Sequence, residues 1–154
     1  MATPEARLQE LGLELATPPP AAANYIGAVT VGDLVFVSGH GPYRGGEYAY
    51  RGKLGAELDV AAGQEAARLT MVNLLASLKA EVGELDRVRR VVKLLVLVNS
   101  APDFQEQHLV ANGGSDLLVE VFGPERGRHA RSAVGMAALP FGISVEIEGI
   151  FAVE

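Results

Sequence analysis

Cysteine is absent from the 154 residues. With it goes any disulfide framework, thiolate nucleophile or cysteine-ligated metal or iron–sulfur site. An excess of positive charge is also missing. Asp and Glu outnumber Lys and Arg by 19 to 13, a net charge of −6, which disfavours nonspecific attraction to nucleic acid or anionic lipid. Aromatics are sparse at 6%, so a stacking platform for RNA finds little material. No apolar stretch approaches the roughly 18 residues of a membrane span; VVKLLVLV is short and carries Lys93. The first residues, MATPEARLQELGLEL, hold charges where a secretion signal needs an apolar run. A soluble, cytoplasmic protein is the expectation. The three histidines have no ligand spacing, so no metal site is expected. The glycine pairs at 45–46 and 113–114 sit in no phosphate-binding pattern.

What is present is ordinary globular material, 49% hydrophobic and 21% charged, in a length suited to a single domain over 1–154. Residues 1–21 read as an N-terminal extension. Thr3-Pro4-Glu5 has the cap, proline and acidic first turn of a helix start. Leu8, Leu11 and Leu15 then share a face, and TPPPAAA (17–23) is a linker that cannot continue the helix. AVTVGDLVFVSG (28–39) predicts a hairpin turned at Gly32-Asp33. The Gly-, Tyr- and Arg-rich run 39–55 predicts a long loop with room for a short strand.

Asp59 caps a predicted helix reaching Val82 and closed by Gly83, with Ala67, Met71, Leu75, Leu78 and Val82 as its buried stripe. RRVVKLLVLV (89–98), nearly continuous and β-branched, predicts a central strand covered on both faces. A second helix is expected to open at Ser100-Ala101-Pro102-Asp103, break at Gly113-Gly114, restart at Ser115-Asp116 and end at Gly123-Pro124. Strands follow at 131–138 and 143–152. The order implies an α/β (α+β) fold with one mixed sheet, two main helices on one face and an N-terminal helix. The other sheet face would meet water or a partner; Ser144, Glu146 and Glu148 point to it, opposite Ile143, Val145 and Ile147.

ANYIGAVTVGDLVFVSGHGP and HARSAVGMAALPFGISVEIEGI resemble the YjgF/RidA family, also called endoribonuclease L-PSP, over roughly 22–154. The terminal spacing of A-R-S, L-P and V-E-I-E carries the likeness, together with Tyr25, Ser38 and S-G-x-x-P (38–42). The resemblance implies a chorismate-mutase-like fold, a homotrimer with pockets between subunits, no cofactor, and hydrolysis of reactive 2-imino or enamine acids to 2-keto acids and ammonia. It implies a carboxylate-binding role for Arg131, a water-orienting role for Glu146, and pocket roles for Tyr25 and Ser38. Ala133 stands where typical deaminases carry Cys or Thr. Ser115 stands where they carry Asn early in the second helix, within a lengthened region. The N-terminal helix and that lengthening suggest a longer, divergent subgroup.

The chemistry is sound on its own terms. Guanidinium grips a planar carboxylate with two parallel hydrogen bonds. A carboxylate at hydrogen-bond range can deliver water to an imine carbon. His129, two residues before Arg131, would point the same way along a strand. Paired as a hairpin about Pro140-Phe141, the last two strands would set Arg131 opposite Ile150. Glu146 would then lie about 13 Å off at ~3.3 Å per residue, too far for an ion pair within one chain. The bland readings are a solvated strand end for Arg131, a polar sheet face for the glutamates, an interface aromatic for Tyr25 and a backbone bond for Ser38. A noncatalytic trimer binding small carboxylates, and an endoribonuclease, are the alternative functions.

Overall fold

The structure, a computed structural model, describes residues 2–18 and 20–154. β1 (Ala28–Val31) and β2 (Leu34–His40) form the expected hairpin, with Gly32 supplying the left-handed φ of +61° at its turn. Within the glycine-rich run, β3 (Tyr43–Arg44) and β4 (Glu47–Tyr48) pair as a second, minimal hairpin. Two long helices, α2 (Val60–Val82) and α3 (Gln107–Gly127), flank β5 (Val88–Asn99) in sequence; β6 (Ala130–Met136) and β7 (Val145–Val153) follow. The main sheet runs β1-β2-β7-β5-β6. Only β5 and β6 are parallel, joined by the α3 crossover, and every other neighbour is antiparallel. α2 and α3 pack on one face, giving the mixed α+β layers that the element order implies.

Local chemistry accounts for α2. The Asp59 carboxylate accepts from the Ala62 amide at 2.9 Å, and Gly83 at φ +89° ends the helix. The stripe from Ala67 to Val82 is buried as expected. It meets Val91, Leu94, Val96 and Val98 of β5 and Val145, Ile147 and Phe151 of β7 in one core that also holds Leu8. The N-terminal helix α1 (Pro4–Glu10) is capped by Thr3. It is shorter than the leucine spacing suggested: Gly12 at φ +72° stops it, so Leu11 and Leu15 lie beyond its end. Glu5 clamps α1 by accepting from the Leu85 amide at 2.7 Å and the Lys79 ammonium at 3.1 Å. The linker 17–23 is non-helical where described; its Pro19 lies outside the described residues.

Four expectations are corrected. First, α3 is unbroken at Gly113-Gly114 and begins at Gln107, not Ser100. The glycines are there for packing: a Cβ on Gly113 would sit 2.1 Å from the Gln64 carbonyl oxygen of α2, so only glycine permits this helix crossing. The Gly123-Pro124 signal is a kink, with one further turn to Gly127. Second, β5 is central by pairing but covered on one face only. Two one-residue bulges against β7 leave Arg89, Arg90 and Val92 exposed, and Leu95 and Leu97 are half-exposed.

Third, β6 and β7 are not a hairpin, because β5 runs between them. Arg131 pairs with Leu94, and Glu146 pairs with Leu97. Leu94 is fully buried under the helices. Three residues on, Leu97 has the opposite parity. Arg131 therefore belongs to the helix-covered face and Glu146 to the open one. Fourth, Ser144 is fully buried and its Oγ has no hydrogen-bond partner, instead of meeting water or a partner with the glutamates. The open face carries exposed Val29, Val31, Phe36 and Val134.

The close helix crossing makes a direct stability prediction. Gly113→Ala drives a methyl into a backbone carbonyl that cannot swing away, and is expected to cost about 1–3 kcal/mol. Urea denaturation should show a lowered midpoint with an unchanged slope.

Candidate functional site

The bulge that interrupts β2 builds one half of the site. Val37 pairs with Gly149 but His40 with Ile147, so β2 carries one extra residue at Ser38-Gly39. That residue turns the strand toward Glu146. A Cβ on Gly39 would lie 2.8 Å from Glu146 Oε2, so the bare glycine backbone is what lets the carboxylate lie there. Around it opens a cavity of about 560 Å³ lined by Tyr25, Ser38, Gly39, Gly41, Tyr48, Pro140, Phe141, Ile143, Glu146 and Glu148. Tyr25, Ser38 and Glu146, three of the predicted site residues, are thus brought together. Ser38 Oγ donates to the Ile26 carbonyl at 2.6 Å, the backbone role weighed from sequence, while still facing the cavity. Tyr25 OH accepts from the Ala22 amide at 3.3 Å.

Burial raises the Glu146 carboxyl above the ordinary glutamate value, and the neighbouring charge of Glu148 adds to the rise. Burial likewise raises the Tyr48 phenol, with Tyr25, Tyr43 and Glu146 contributing, so it stays protonated. Beneath the bulge, His40 is buried. Its Nδ1 lies 2.6 Å from the Ser38 carbonyl and its Nε2 2.6 Å from Ser77 Oγ, and burial lowers its pKa. His40 thus braces the strand that carries Ser38.

Arg131, Ser115 and His129 form a second cluster on the helix-covered side, at the β6 edge. Arg131 Nη1 donates to Asn112 Oδ1 at 2.9 Å and to Ser115 Oγ at 3.1 Å, and Nη2 donates to the His108 carbonyl at 3.1 Å. His129 Nδ1 lies 2.6 Å from the Gly127 carbonyl, which can only accept, so that nitrogen carries the proton. In the neutral ring Nε2 then accepts from the Ser115 hydroxyl at 3.0 Å, and the Ser115 oxygen is left to accept from Arg131. Burial first, then the nearby charges of Arg131 and Arg90, hold His129 below the ordinary histidine value despite the Gly127 bond. The side chains form a directed chain that fixes the guanidinium. Among the described residues, no ion pair joins Arg131 to Glu146, and no group of three or more His, Cys, Asp or Glu could hold a metal. No helix among them is long and apolar enough to cross a membrane.

Residues 5–152 match the family model described as YjgF/chorismate-mutase-like, "putative endoribonuclease". The chain belongs to this YjgF family. Protein TCP17 of Trypanosoma cruzi is 49% identical over 94% of this chain and 91% of its own. The crystal structure of Atu1372 from Agrobacterium tumefaciens, a protein of unknown function, superposes with a TM-score of 0.91 at 48% identity over 98% of this chain and 92% of that one. E. coli TdcF, crystallised with bound serine, has a TM-score of 0.65 at 27% identity over 90% of this chain and 94% of its own.

Two residues of the candidate site of this YjgF-family chain carry little signal in the sequence. Asn112 offers its amide oxygen to Arg131 beside the Ser115 hydroxyl; their spacing of three on one helix turn is the signal in the sequence. Phe141 lines the cavity, and nothing in the sequence indicates its left-handed φ of +61°.

Buried His40 and half-buried His129 predict a pH response of the fold. Both have folded-state values below the ordinary 6.5. Their stabilising effect is therefore complete above that value and is lost as pH falls through the interval down to the folded values, where the unfolded chain binds protons first. The urea midpoint should drop on acidification below about 6.5, and His129→Gln should remove part of that slope.

Proposed function

We propose that this protein hydrolyses reactive 2-imino acids, and the enamines that tautomerise to them, to 2-keto acids and ammonia. It acts as a single domain within a homotrimer whose pockets lie between subunits. One observation carries the reading: the cavity holding Glu146 and the guanidinium of Arg131 occupy opposite faces of the same sheet. One chain has a water-steering carboxylate without a cation to hold an anionic substrate, and at another edge a pre-aimed cation without that base. Juxtaposing two copies completes both halves, and the apolar open face around Phe36 and Val134 offers the contact area. The serine bound to TdcF supports a small amino-acid-like carboxylate as the ligand class.

In the completed pocket Arg131 binds the substrate carboxylate in bidentate fashion and fixes the imine carbon relative to the neighbouring chain. Glu146, its basicity raised by burial, takes a proton from water as the oxygen bonds to that carbon. The proton passes to nitrogen, giving a carbinolamine; Glu146 then carries the hydroxyl proton to that nitrogen as the C–N bond breaks and C=O forms, and ammonia leaves with the keto acid. Hydrogen bonds that the guanidinium donates to Asn112 Oδ1, Ser115 Oγ and the His108 carbonyl hold it ready. The endoribonuclease reading is weakened by the two glutamates in the cavity and the net charge of −6, both repelling phosphate.

Two measurements test the reading. With 2-aminoacrylate generated by a dehydratase and trapped by semicarbazide, the wild type should lower the trapped fraction, and Arg131→Ala should lose about 100-fold in efficiency. Equal trapping with wild type and variant removes the deaminase reading; binding of pyruvate without turnover would favour a noncatalytic carboxylate binder. The acid limb of the rate profile should lie above 4.5, the ordinary glutamate value, because Glu146 must be ionised to act. Glu148→Gln removes a repelling charge, so the limb should move to lower pH.

A further inference from the structure

Phe141 is held where a bulky side chain costs strain. Its φ of +61° lies in the left-handed region that glycine favours, and a glycine follows it directly. The surroundings enforce the conformation: Arg51 Nε donates to the Phe141 carbonyl at 2.8 Å, and the Gly52 amide donates to the Gly142 carbonyl at 2.9 Å. The strain does not serve the core, because the ring is 54% exposed. It places the ring at the mouth of the Glu146 cavity, stacked on Tyr48 with centroids 5.2 Å apart and planes 20° apart. Tyr48 is in turn braced edge-on by Tyr43, also at 5.2 Å, and seated on Gly41, where a Cβ would lie 3.2 Å from its ring. Tyr48 stacks on one face of Phe141, more than half of the Phe141 residue stays exposed, and both residues line the cavity.

From this geometry we propose that Phe141, backed by Tyr48, is a specificity residue that selects 2-imino acids bearing an aromatic side chain. The inference rests on the proposed deaminase function and adds a substrate class to it. An aryl group is the chemistry that fits an open aromatic face, because ring pairs 4.5–7 Å apart gain attraction beyond simple burial. In the single chain the cavity measures about 560 Å³, within the usual range for a small-molecule site and larger than a three-carbon imino acid by itself requires. The wall is apolar, with Pro140 and Ile143 beside the rings, while the charged groups lie on β7. A side chain directed to the rings thus leaves the imine carbon near Glu146.

The test compares imino acids made in situ from phenylalanine and from alanine by an L-amino-acid oxidase, using semicarbazide trapping. Calorimetric binding of phenylpyruvate and pyruvate is measured in parallel. Phe141→Gly is the informative variant, since glycine suits the local φ and should fold at least as stably as wild type. Wild type should favour the phenylalanine-derived imine, and phenylpyruvate, by about 10-fold or more, as a hydrophobic pocket can. Phe141→Gly should lose that preference, the phenylalanine-derived rate falling relative to the alanine-derived one by about the same factor. Equal handling of both substrates by wild type, or a preference surviving in the variant, overturns the inference while leaving the deaminase reading intact. If neither imine is consumed faster, that reading fails, and the phenylpyruvate preference and its loss in the variant decide the inference alone. A changed oligomer mass of Phe141→Gly in light scattering would assign the ring to subunit contact and overturn it as well.

Discussion

The alternation of side chains along a β-strand governs this site. Arg131 and Glu146 lie two strands apart, with β5 between them, and their partners on β5, Leu94 and Leu97, differ by three positions. An odd offset reverses the face. No rotamer change can bring a guanidinium rooted on the helix side through the sheet to the carboxylate on the open side. In the proposed hydrolysis, it is this parity that assigns the two groups of one pocket to two copies of the chain.

The two halves are prepared by different physical means. The Arg131 half is a hydrogen-bond chain with assigned directions, set by the one proton that His129 keeps on Nδ1. A strongly directed chain costs little reorganisation when an anion arrives, because the donors are already aimed. The Glu146 half is shaped by omission. Gly39 and Gly41 lack the Cβ atoms that would collide with Glu146, Tyr48 and Ile143, and the extra residue in β2 lets the strand bend around the carboxylate. Burial then raises the basicity of that carboxylate, which has no ion-pair partner among the described residues.

The N-terminal extension acts on both sides of the molecule. α1 docks through Leu8, the Glu5 contacts to Lys79 and Leu85, and Arg7 Nε donating to the Glu120 carbonyl, on the outer surface of the helices. The chain then passes to the sheet face, where Ala22, Ala23 and Tyr25 become cavity wall. The helix itself does not cover the Glu146 cavity; the segment behind it helps to build it.

The sequence by itself determined the elements whose causes are local. The Asp59 and Thr3 caps, the Gly32 turn and the apolar stripe of α2 each depend on neighbours a few residues away. Local signals misled at Gly113-Gly114, where two residues with poor helix propensity are kept because α2 passes too close for a side chain. Tertiary structure alone decided the strand order that places β5 between β6 and β7, the faces to which Arg131 and Glu146 point, the recruitment of Asn112, and the strained ring of Phe141. Those features come from contacts between segments far apart in the chain, and periodicity within a segment carries no record of which segment will lie beside it.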